Sequence, residues 1–187
     1  IAEKYEGVYA AVGIHPHHVF EIYKAPTPPR GPLAIVSKKV SALSSLLTNH
    51  KVVAIGEVGV DRHIYQKTKY PDYKIAEEFV ELQKIFLKEQ IKLAIKYNKS
   101  LILHNREAKK DVLEILFNSE LRITNYRSVF HCCEPDLELL EFAKDHKMFI
   151  GVDGDITYYK EKQEWIKTVP LEMLVLETDS PFLMPRL

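Results

Sequence analysis

The chain contains 187 residues, of which 46% are apolar and 28% are charged, and its 26 basic and 26 acidic side chains give a formal net charge of zero. This length and composition suit one domain with a sizeable core, and 7 Gly and 10 Pro are too few for a fibrous or low-complexity chain. A neutral chain does not hold nucleic acid by bulk electrostatics, so a polyanionic substrate would have to be bound by metals or by a lined cleft.

The two cysteines, Cys132 and Cys133, are adjacent in sequence, which argues against a disulfide framework and favours a reducing compartment. No uncharged apolar run approaches the roughly 18 to 20 residues that a membrane-spanning helix needs. We therefore expect a soluble, cytoplasmic protein with no membrane partner.

Short apolar runs and amphipathic segments alternate along the chain. Runs rich in Val and Ile predict β-strands at residues 8–14, 52–55, 101–103, 128–130, 148–152 and 173–176. Helical spacing of apolar residues predicts helices at 33–47, 75–97, 108–117, 135–146 and 160–167. This alternation is typical of parallel strands joined by crossover helices, so a doubly wound sheet and a (β/α) barrel both fit. The Pro-rich segment 25–32 is predicted to be a long loop rather than a linker, which leaves residues 1–187 as a single domain.

Residues that can bind metals stand at the ends of five of the six predicted strands. In chain order they are His15, His17 and His18, then Glu57, His104 and His131, and finally Glu177 and Asp179. Side chains alternate between the two faces of a strand, so Glu57 shares a face with Ile55, and His104 shares one with Ile102. The carboxyl ends of barrel strands meet at one rim, where active sites lie. Imidazole and carboxylate ligands together predict a site for Zn, Mn or Mg that acts on a hydrolysable bond.

Six segments, taken in order, resemble the signatures of the TatD-type metal-dependent deoxyribonucleases, which belong to the amidohydrolase-like superfamily. They are AAVGIHPHHV (10–19), VVAIGEVGVDRH (52–63), LILHNREA (101–108), VFHCCEP (129–135), IGVDGDITY (150–158) and LVLETDSPFLMP (174–185). The resemblance implies an α/β fold of the (β/α)8 TIM-barrel type, here incomplete with strands 3 to 8 visible. Family members open with a His-x-His pair of metal ligands, and no such pair precedes Gly13.

The resemblance also implies roles for individual residues. By position, the metal ligands would be Glu57, His104, His131 and Asp179, which would hold one or two divalent ions, Mg, Mn or Zn. Glu57 and Asp179 would also be catalytic, with Asp179 accepting the proton of the attacking water. His15, His17 and Arg106 would contact the substrate, although a surface ion pair is an equal alternative for Arg106. The implied function is hydrolysis of DNA phosphodiester bonds, exonucleolytically or on single strands, by a monomeric enzyme.

Two alternatives to this function stay open. A barrel metallohydrolase can act instead on a small amide, lactone or phosphoester, because the fold does not fix the substrate. The chain can also be an inactive fragment, since two strands and the closing helix of the barrel are expected to be missing.

Three further features carry expectations of their own. The loop after Glu57, residues 61–74, is rich in Tyr and Lys, which suits stacking and phosphate contacts with single-stranded nucleic acid, or packing of its rings on the scaffold. Asp153 can add a carboxylate to the rim or cap a turn at residues 156–160, and the cap is favoured. Cys132 is expected to face the helices in the core. Cys133, which shares a face with His131, can reach the metal or be a buried thiol, and the buried thiol is favoured.

Overall fold

The computed structural model describes residues 1–25, 32–117 and 127–186. The chain divides into two compact units, Ile1–Asn125 and Tyr126–Leu187. Every strand pairing recorded within a unit is parallel, and neighbouring strands follow one another in sequence. The predicted α/β class with crossover helices is therefore confirmed, while the expectation of a single domain stays a prediction.

The first unit contains three strands in the order β1, β2, β3. They are β1 (Ala10–Val12), β2 (Val52–Asp61) and β3 (Ser100–Arg106). Its helices are α1 (Val19–Lys24), α2 (Pro32–Leu47), α3 (Glu77–Tyr97) and α4 (Lys109–Leu116), with 3₁₀ turns at Ala2–Lys4 and Pro16–His18. Helix α1 was not predicted, because its six residues are too few to show helical periodicity.

Helix α3 fixes two strand ends through buried glutamines. Gln83 accepts the backbone N–H of Asp61 at 2.7 Å and donates to its carbonyl at 3.1 Å. Gln90, two turns later, does the same for Ile14, at 2.6 and 3.2 Å. Since buried backbone groups need partners, these two amides hold the ends of the segments that carry His15 and Asp61 against the helix.

Strand β2 is longer than the sequence indicated, continuing to Asp61 rather than ending at residue 55. Its pairing with β3 contains a register irregularity between Gly56 and Val58. Beyond it, Gly59 packs so closely on β3 that a Cβ atom would lie 2.7 Å from the carbonyl carbon of His104. The absence of a side chain at Gly59 therefore lets the pairing continue, and it places Glu57 inside the strand instead of beyond its tip.

The second unit repeats the same parallel order. Its elements are β4 (Val129–Phe130), α5 (Leu137–Asp145), β5 (Phe149–Val152), α6 (Lys160–Ile166) and β6 (Leu174–Leu176), with 3₁₀ turns at Gly154–Thr157 and Leu171–Met173. Asp136 caps α5 by accepting the N–H of Leu139 at 3.0 Å, so that helix begins two residues after Pro135. Asp153 acts as a cap, as predicted, but the turn that it caps is Gly154–Thr157, which begins two residues earlier than expected.

The predicted strands and helices are all confirmed, with shifted ends. Of the predicted loop 25–32, residues 26–31 lie outside the described residues, and α2 begins at Pro32. Among the described helices, none is both long enough and apolar enough to cross a membrane.

Candidate functional site

In the first unit, the imidazole of His104 on β3 lies between two carboxylates of β2. Its Nδ1 atom is 2.6 Å from Oε1 of Glu57, and its Nε2 atom is 3.0 Å from Oδ2 of Asp61. Asp61 is fully buried, and the side chain of His104 is 14% exposed. Both carboxylates reach the same ring because Glu57 and Asp61 are four residues apart on one strand and therefore share a face.

The two carboxylates control the charge of this group. Burial alone would lower the pKa of His104, but the hydrogen bonds with Asp61 and Glu57 outweigh it and raise the pKa to about 9. For Asp61, burial alone would raise the pKa, but three hydrogen bonds lower it overall. They come from His104, from the Tyr65 hydroxyl and from the N–H of His63. Without a metal, the ring is therefore an imidazolium that is hydrogen-bonded to the carboxylates of both Glu57 and Asp61.

His15 stands beside this group as a neutral hydrogen-bond donor. Its ring centroid is 4.6 Å from that of His104, and its Nε2 atom is 3.7 Å from Oε2 of Glu57. Burial, assisted by the neighbouring His104, lowers the pKa of His15 to about 4. Its Nδ1 atom accepts the backbone N–H of His17 at 3.1 Å, so the proton of the neutral ring lies on Nε2.

Glu57 and His104 suit a divalent cation, whereas the two nitrogens of the neighbouring His15 are occupied by its own Nε2 proton and by the N–H of His17. One ligand atom from each of His15, Glu57 and His104 lies within 4.8 Å of the other two. Asp61 accepts the Nε2–H of His104, which leaves Nδ1 as the nitrogen that faces Glu57. An imidazole that is oriented by a second carboxylate and paired with an ionised one is the usual ligand arrangement at a zinc or manganese site.

His17, two residues from His15, is directed elsewhere. The 3₁₀ turn at Pro16–His18 carries its ring into a cluster formed by Tyr65, Tyr70 and Tyr73, whose ring centroids are 5.1, 5.3 and 4.6 Å away. Its Nε2 atom is 2.8 Å from the hydroxyl of Thr68. We call these three tyrosines the tyrosine cluster.

The tyrosine cluster packs on the protein itself. Tyr70 and Tyr73 pack against the buried ring of Phe20, and Tyr73 also contacts Phe79 of α3. The rings of the Tyr-rich loop are thus used for packing, which was one of the two alternatives for this segment. The lysines of the loop remain exposed, namely Lys67, Lys69 and Lys74.

Arg106 lies at the edge of the same cluster. Its guanidinium carbon is 5.2 Å from the ring centroid of Tyr65, and its Nη1 donates to the Tyr65 hydroxyl at 3.4 Å. That hydroxyl donates in turn to Oδ2 of Asp61 at 2.7 Å. Arg106 is therefore linked to His104 through Tyr65 and Asp61, and its side chain is exposed.

In the second unit, His131 lies between the two acidic residues that follow β6. Its Nδ1 atom is 2.8 Å from Oε2 of Glu177, and its Nε2 atom is 3.8 Å from Oδ1 of Asp179. The 3.8 Å between Nε2 and Oδ1 is too long for a hydrogen bond. It matches the distance between two ligand atoms of one ion, because zinc–nitrogen and zinc–oxygen bonds are each about 2.0 to 2.2 Å long. The donor atoms of His131 and Asp179 thus also suit a cation.

A buried charged group lies next to Cys132 in the second unit. The ammonium of Lys162 is 2.7 Å from Oδ1 of Asp155 and 3.4 Å from Oδ1 of Asp153. Burial would lower the pKa of Lys162, but the two carboxylates raise it, while burial and the neighbouring Asp153 raise the pKa of Asp155. Asp153, Asp155 and Cys132 come close enough to hold a metal, but here the lysine supplies the cation.

The expectation that Cys132 faces the helices in the core is wrong. Its side chain is half-buried, and its Sγ donates to Oδ2 of Asp153 at 3.0 Å. A φ of 45° takes Cys132 out of strand geometry, so the alternation of faces that supported the expectation no longer applies. Cys133 is buried, as predicted.

The sequence did not single out two acidic residues that hold the histidines. Asp61 was assigned to a loop because β2 was expected to end early, although its even spacing from Glu57 was a usable signal. Glu177 was recognised as a residue that can bind a metal but received no role. Within the first unit the structure brings His15, Glu57 and His104 together, while His17 and Arg106 meet at the tyrosine cluster.

Comparison with known proteins gives these residues a family context. A family model described as TatD related DNase matches residues 1–187. The chain is 29% identical over 185 residues to the uncharacterized metal-dependent hydrolase YabD of Bacillus subtilis, covering 98% of this chain and 62% of that protein. It is 29% identical over 183 residues to the deoxyribonuclease Tat-D of Schizosaccharomyces pombe, covering 97% of this chain and 54% of that protein. The crystal structure of YJJV, a TatD homologue from Escherichia coli, matches with a TM-score of 0.74 and 30% identity, over 99% of this chain and 62% of that chain.

The chain thus spans between 54% and 62% of the length of these three proteins. The structural match confirms the predicted barrel-type α/β fold, incomplete relative to its relatives. The family model covers all six segments on which the resemblance was based. The chain belongs to the TatD related DNase family.

Proposed function

We propose that this chain is part of a divalent-metal-dependent hydrolase that cleaves phosphodiester bonds of DNA, acting at ends or on single strands. The observation that carries the proposal is the position of His104 between Glu57 and Asp61, with His15 beside it. A ring held by one carboxylate and paired with another is built to bind a cation. The name of the Schizosaccharomyces pombe relative, a deoxyribonuclease, supports DNA as the substrate.

In the first unit, the proposed metal ligands are Glu57 and His104. In the second unit, they are His131 and Asp179. A bound divalent ion, Mg, Mn or Zn, would neutralise charge on the phosphate and lower the pKa of the attacking water toward neutrality. We propose that one or two such ions are held.

The chain's own residues complete the proposed chemistry. Asp179 accepts the proton of the attacking water, and Glu57 combines its ligand role with stabilisation of positive charge near the phosphate. His15 donates its Nε2–H to a non-bridging phosphate oxygen, a role that its fixed proton position supports. His17 and Arg106 contact the substrate farther along, where the exposed lysines of residues 67–74 meet its backbone.

The cellular setting and mode of action belong to the whole protein. We propose that it acts exonucleolytically, as a monomer in the cytoplasm. The adjacent cysteines support a reducing compartment.

The proposal is tested with the whole protein and a labelled oligonucleotide, single-stranded and duplex, in DNA and RNA form. Turnover with Mg, Mn or Zn and its loss on chelation are the expected results. Glu57→Ala and Asp179→Ala are each expected to lower kcat by about a hundredfold or more while the fold is kept. Glu78→Ala and Glu172→Ala remove exposed carboxylates from the two units and serve as matched controls.

A panel of small amides, lactones and phosphoesters completes the experiment. Faster turnover of any of these than of DNA would overturn the substrate assignment. Full activity in the Glu57→Ala or Asp179→Ala protein would overturn the ligand assignment.

A further inference from the structure

We propose that Glu177 is a positioning residue that fixes the tautomer of His131 and thereby leaves the Nε2 atom of that ring without a proton. The inference rests on the proposed function, in which His131 and Asp179 are metal ligands. Glu177 faces Nδ1 of the ring and Asp179 faces Nε2. Glu177 therefore orients the imidazole of His131, and Asp179 binds the proposed cation together with that imidazole.

The carboxylate of Glu177 is surrounded by two hydrogen-bond donors. Its Oε2 lies 2.8 Å from Nδ1 of His131, and its Oε1 accepts the backbone N–H of Cys132 at 2.5 Å. An ionised carboxylate only accepts hydrogen bonds, so Nδ1 must carry a proton. A neutral imidazole has a single N–H, and its Nε2 lone pair then points toward Asp179.

The backbone of β5 holds the Glu177 side chain in this place. A Cβ atom on Gly151 would lie 2.6 Å from the carboxyl carbon of Glu177, and it would come still closer to Oε1. The N–H of Glu177 also donates to the carbonyl of Val152 at 3.0 Å. The side chains of Glu177 and His131 are 17% and 14% exposed, so water competes little for this hydrogen bond.

A glutamine at position 177 would move the ring proton of His131 from Nδ1 to Nε2. The N–H of Cys132 belongs to the backbone and cannot change its direction, so the glutamine oxygen in Glu177→Gln has to face it. The amide NH2 then faces Nδ1 of His131, which must accept. The proton of the ring moves to Nε2, and the nitrogen that faces Asp179 becomes a donor that cannot bind a metal.

The test measures the tautomer directly in the metal-free protein, at a pH high enough that the imidazole of His131 is neutral. Long-range 15N–1H correlation spectra of the imidazoles distinguish Nδ1–H from Nε2–H rings, and His131→Gln identifies the signal of His131. We expect Nδ1–H in the wild type and Nε2–H in Glu177→Gln. Gly151→Ala pushes the carboxylate away without changing any polar group, and it should give a mixture of the two tautomers. Glu172→Gln, an exposed carboxylate of the same unit, should leave the spectrum unchanged.

Binding of Zn, Mn and Co to the same proteins is the second readout. We expect the Kd to rise about 10- to 100-fold in Glu177→Gln and in Gly151→Ala, the usual effect of losing a residue that orients a ligand. A wild-type His131 that carries its proton on Nε2, or a tautomer unchanged in Glu177→Gln, would overturn the proposal. A changed tautomer with an unchanged Kd would support the action of Glu177 on the ring and overturn the assignment of His131 as a ligand. If Glu177→Gln does not fold, Gly151→Ala carries the test.

Discussion

Oε1 of Glu57 and Nδ1 of His104 lie 2.6 Å apart, although 47 residues separate them in the chain. The parallel pairing of β2 and β3 brings them together, and the pairing continues only because Gly59 admits the backbone of His104. A metal-free protein keeps this pair as a charge-assisted hydrogen bond. If His104 is a metal ligand as proposed, the stability of the fold and its metal affinity are linked through this imidazole.

The metal-free protein should lose stability at alkaline pH. The pKa of His104 is raised from 6.5 to about 9 in the fold, so the stability from its imidazolium is fully present below pH 6.5 and is lost as the pH rises through 9. The decrease in the free energy of unfolding can reach about 3 kcal/mol. Urea unfolding in chelator at about pH 6.5 and about pH 9.5 measures it. The loss should be much smaller in His104→Gln, and an equal loss in both proteins would contradict the assignment.

Replacing the residue that orients His104 should weaken metal binding without removing a ligand. Asp61→Asn keeps the size of a fully buried side chain but presents a weaker acceptor to Nε2–H. We expect the Kd for Zn or Mn to rise about 10- to 100-fold. Asp72→Asn, in an exposed ion pair with Lys24, is the matched control and should bind as the wild type does. Equal affinity of the Asp61→Asn protein would exclude Asp61 as an orienting residue.

The buried lysine of the second unit should be essential to stability. Lys162→Met leaves the carboxylates of Asp153 and Asp155 buried without their cation, which costs about 3 to 5 kcal/mol. Thermal and urea unfolding measure the loss. Adding Asp153→Asn and Asp155→Asn should restore much of it, because no unpaired charge then remains. A stable single variant would show that the two carboxylates do not depend on Lys162.

The two glutamines of α3 should each stabilise a strand end. Gln83→Leu and Gln90→Leu keep the volume but leave a buried N–H and carbonyl unpaired, at about 1 to 3 kcal/mol each. Glu78→Leu, on the exposed side of the same helix, should change stability by less than about 0.5 kcal/mol. Denaturant unfolding compares the three. Equal stability of all three variants would mean that water replaces the glutamines.

The exposed lysines of the Tyr-rich loop should contribute to oligonucleotide affinity. Replacing Lys67 and Lys74 by alanine is expected to weaken single-stranded DNA binding and to reduce the salt dependence of log K, by about 0.7 for each phosphate that a lysine no longer neutralises. Lys38 and Lys39, exposed on α2, give a double variant with the same change in charge. Fluorescence anisotropy at several salt concentrations measures the DNA affinity of the two double variants and its salt dependence. The same weakening in both double variants would indicate a general charge effect rather than a binding surface.

The periodicity of the sequence was enough to predict most of the elements. Runs of Val and Ile located the six strands, since strand formation depends on short-range apolar pattern. The end of β2 was missed because it depends on Gly59 and its packing on His104, which belong to two different strands. The short helix α1 was missed because it is held by packing, through the buried Val19 and Phe20, rather than by its own pattern.

In the candidate site, too, some features were predictable from the sequence and others depended on the tertiary structure. Glu57, His104, His131 and Asp179 were predicted as metal ligands from residue type, strand position and family resemblance, and these assignments stay predictions. The direction of each imidazole proton was not predictable, because it depends on which carboxylate or N–H lies against the other nitrogen. His15 and His17 illustrate this, since a single 3₁₀ turn places one beside Glu57 and the other among tyrosines.

By itself the sequence determined the order of strands and helices, the family, and the residue types that can bind a metal, because each of these is written in local pattern. The tertiary structure alone decided that Asp61 and Glu177 hold the histidines and that Lys162 supplies a cation to two aspartates. The physical reason is that a hydrogen bond or ion pair requires atoms within about 3 to 4 Å, and strand pairing sets those distances between residues far apart in the chain.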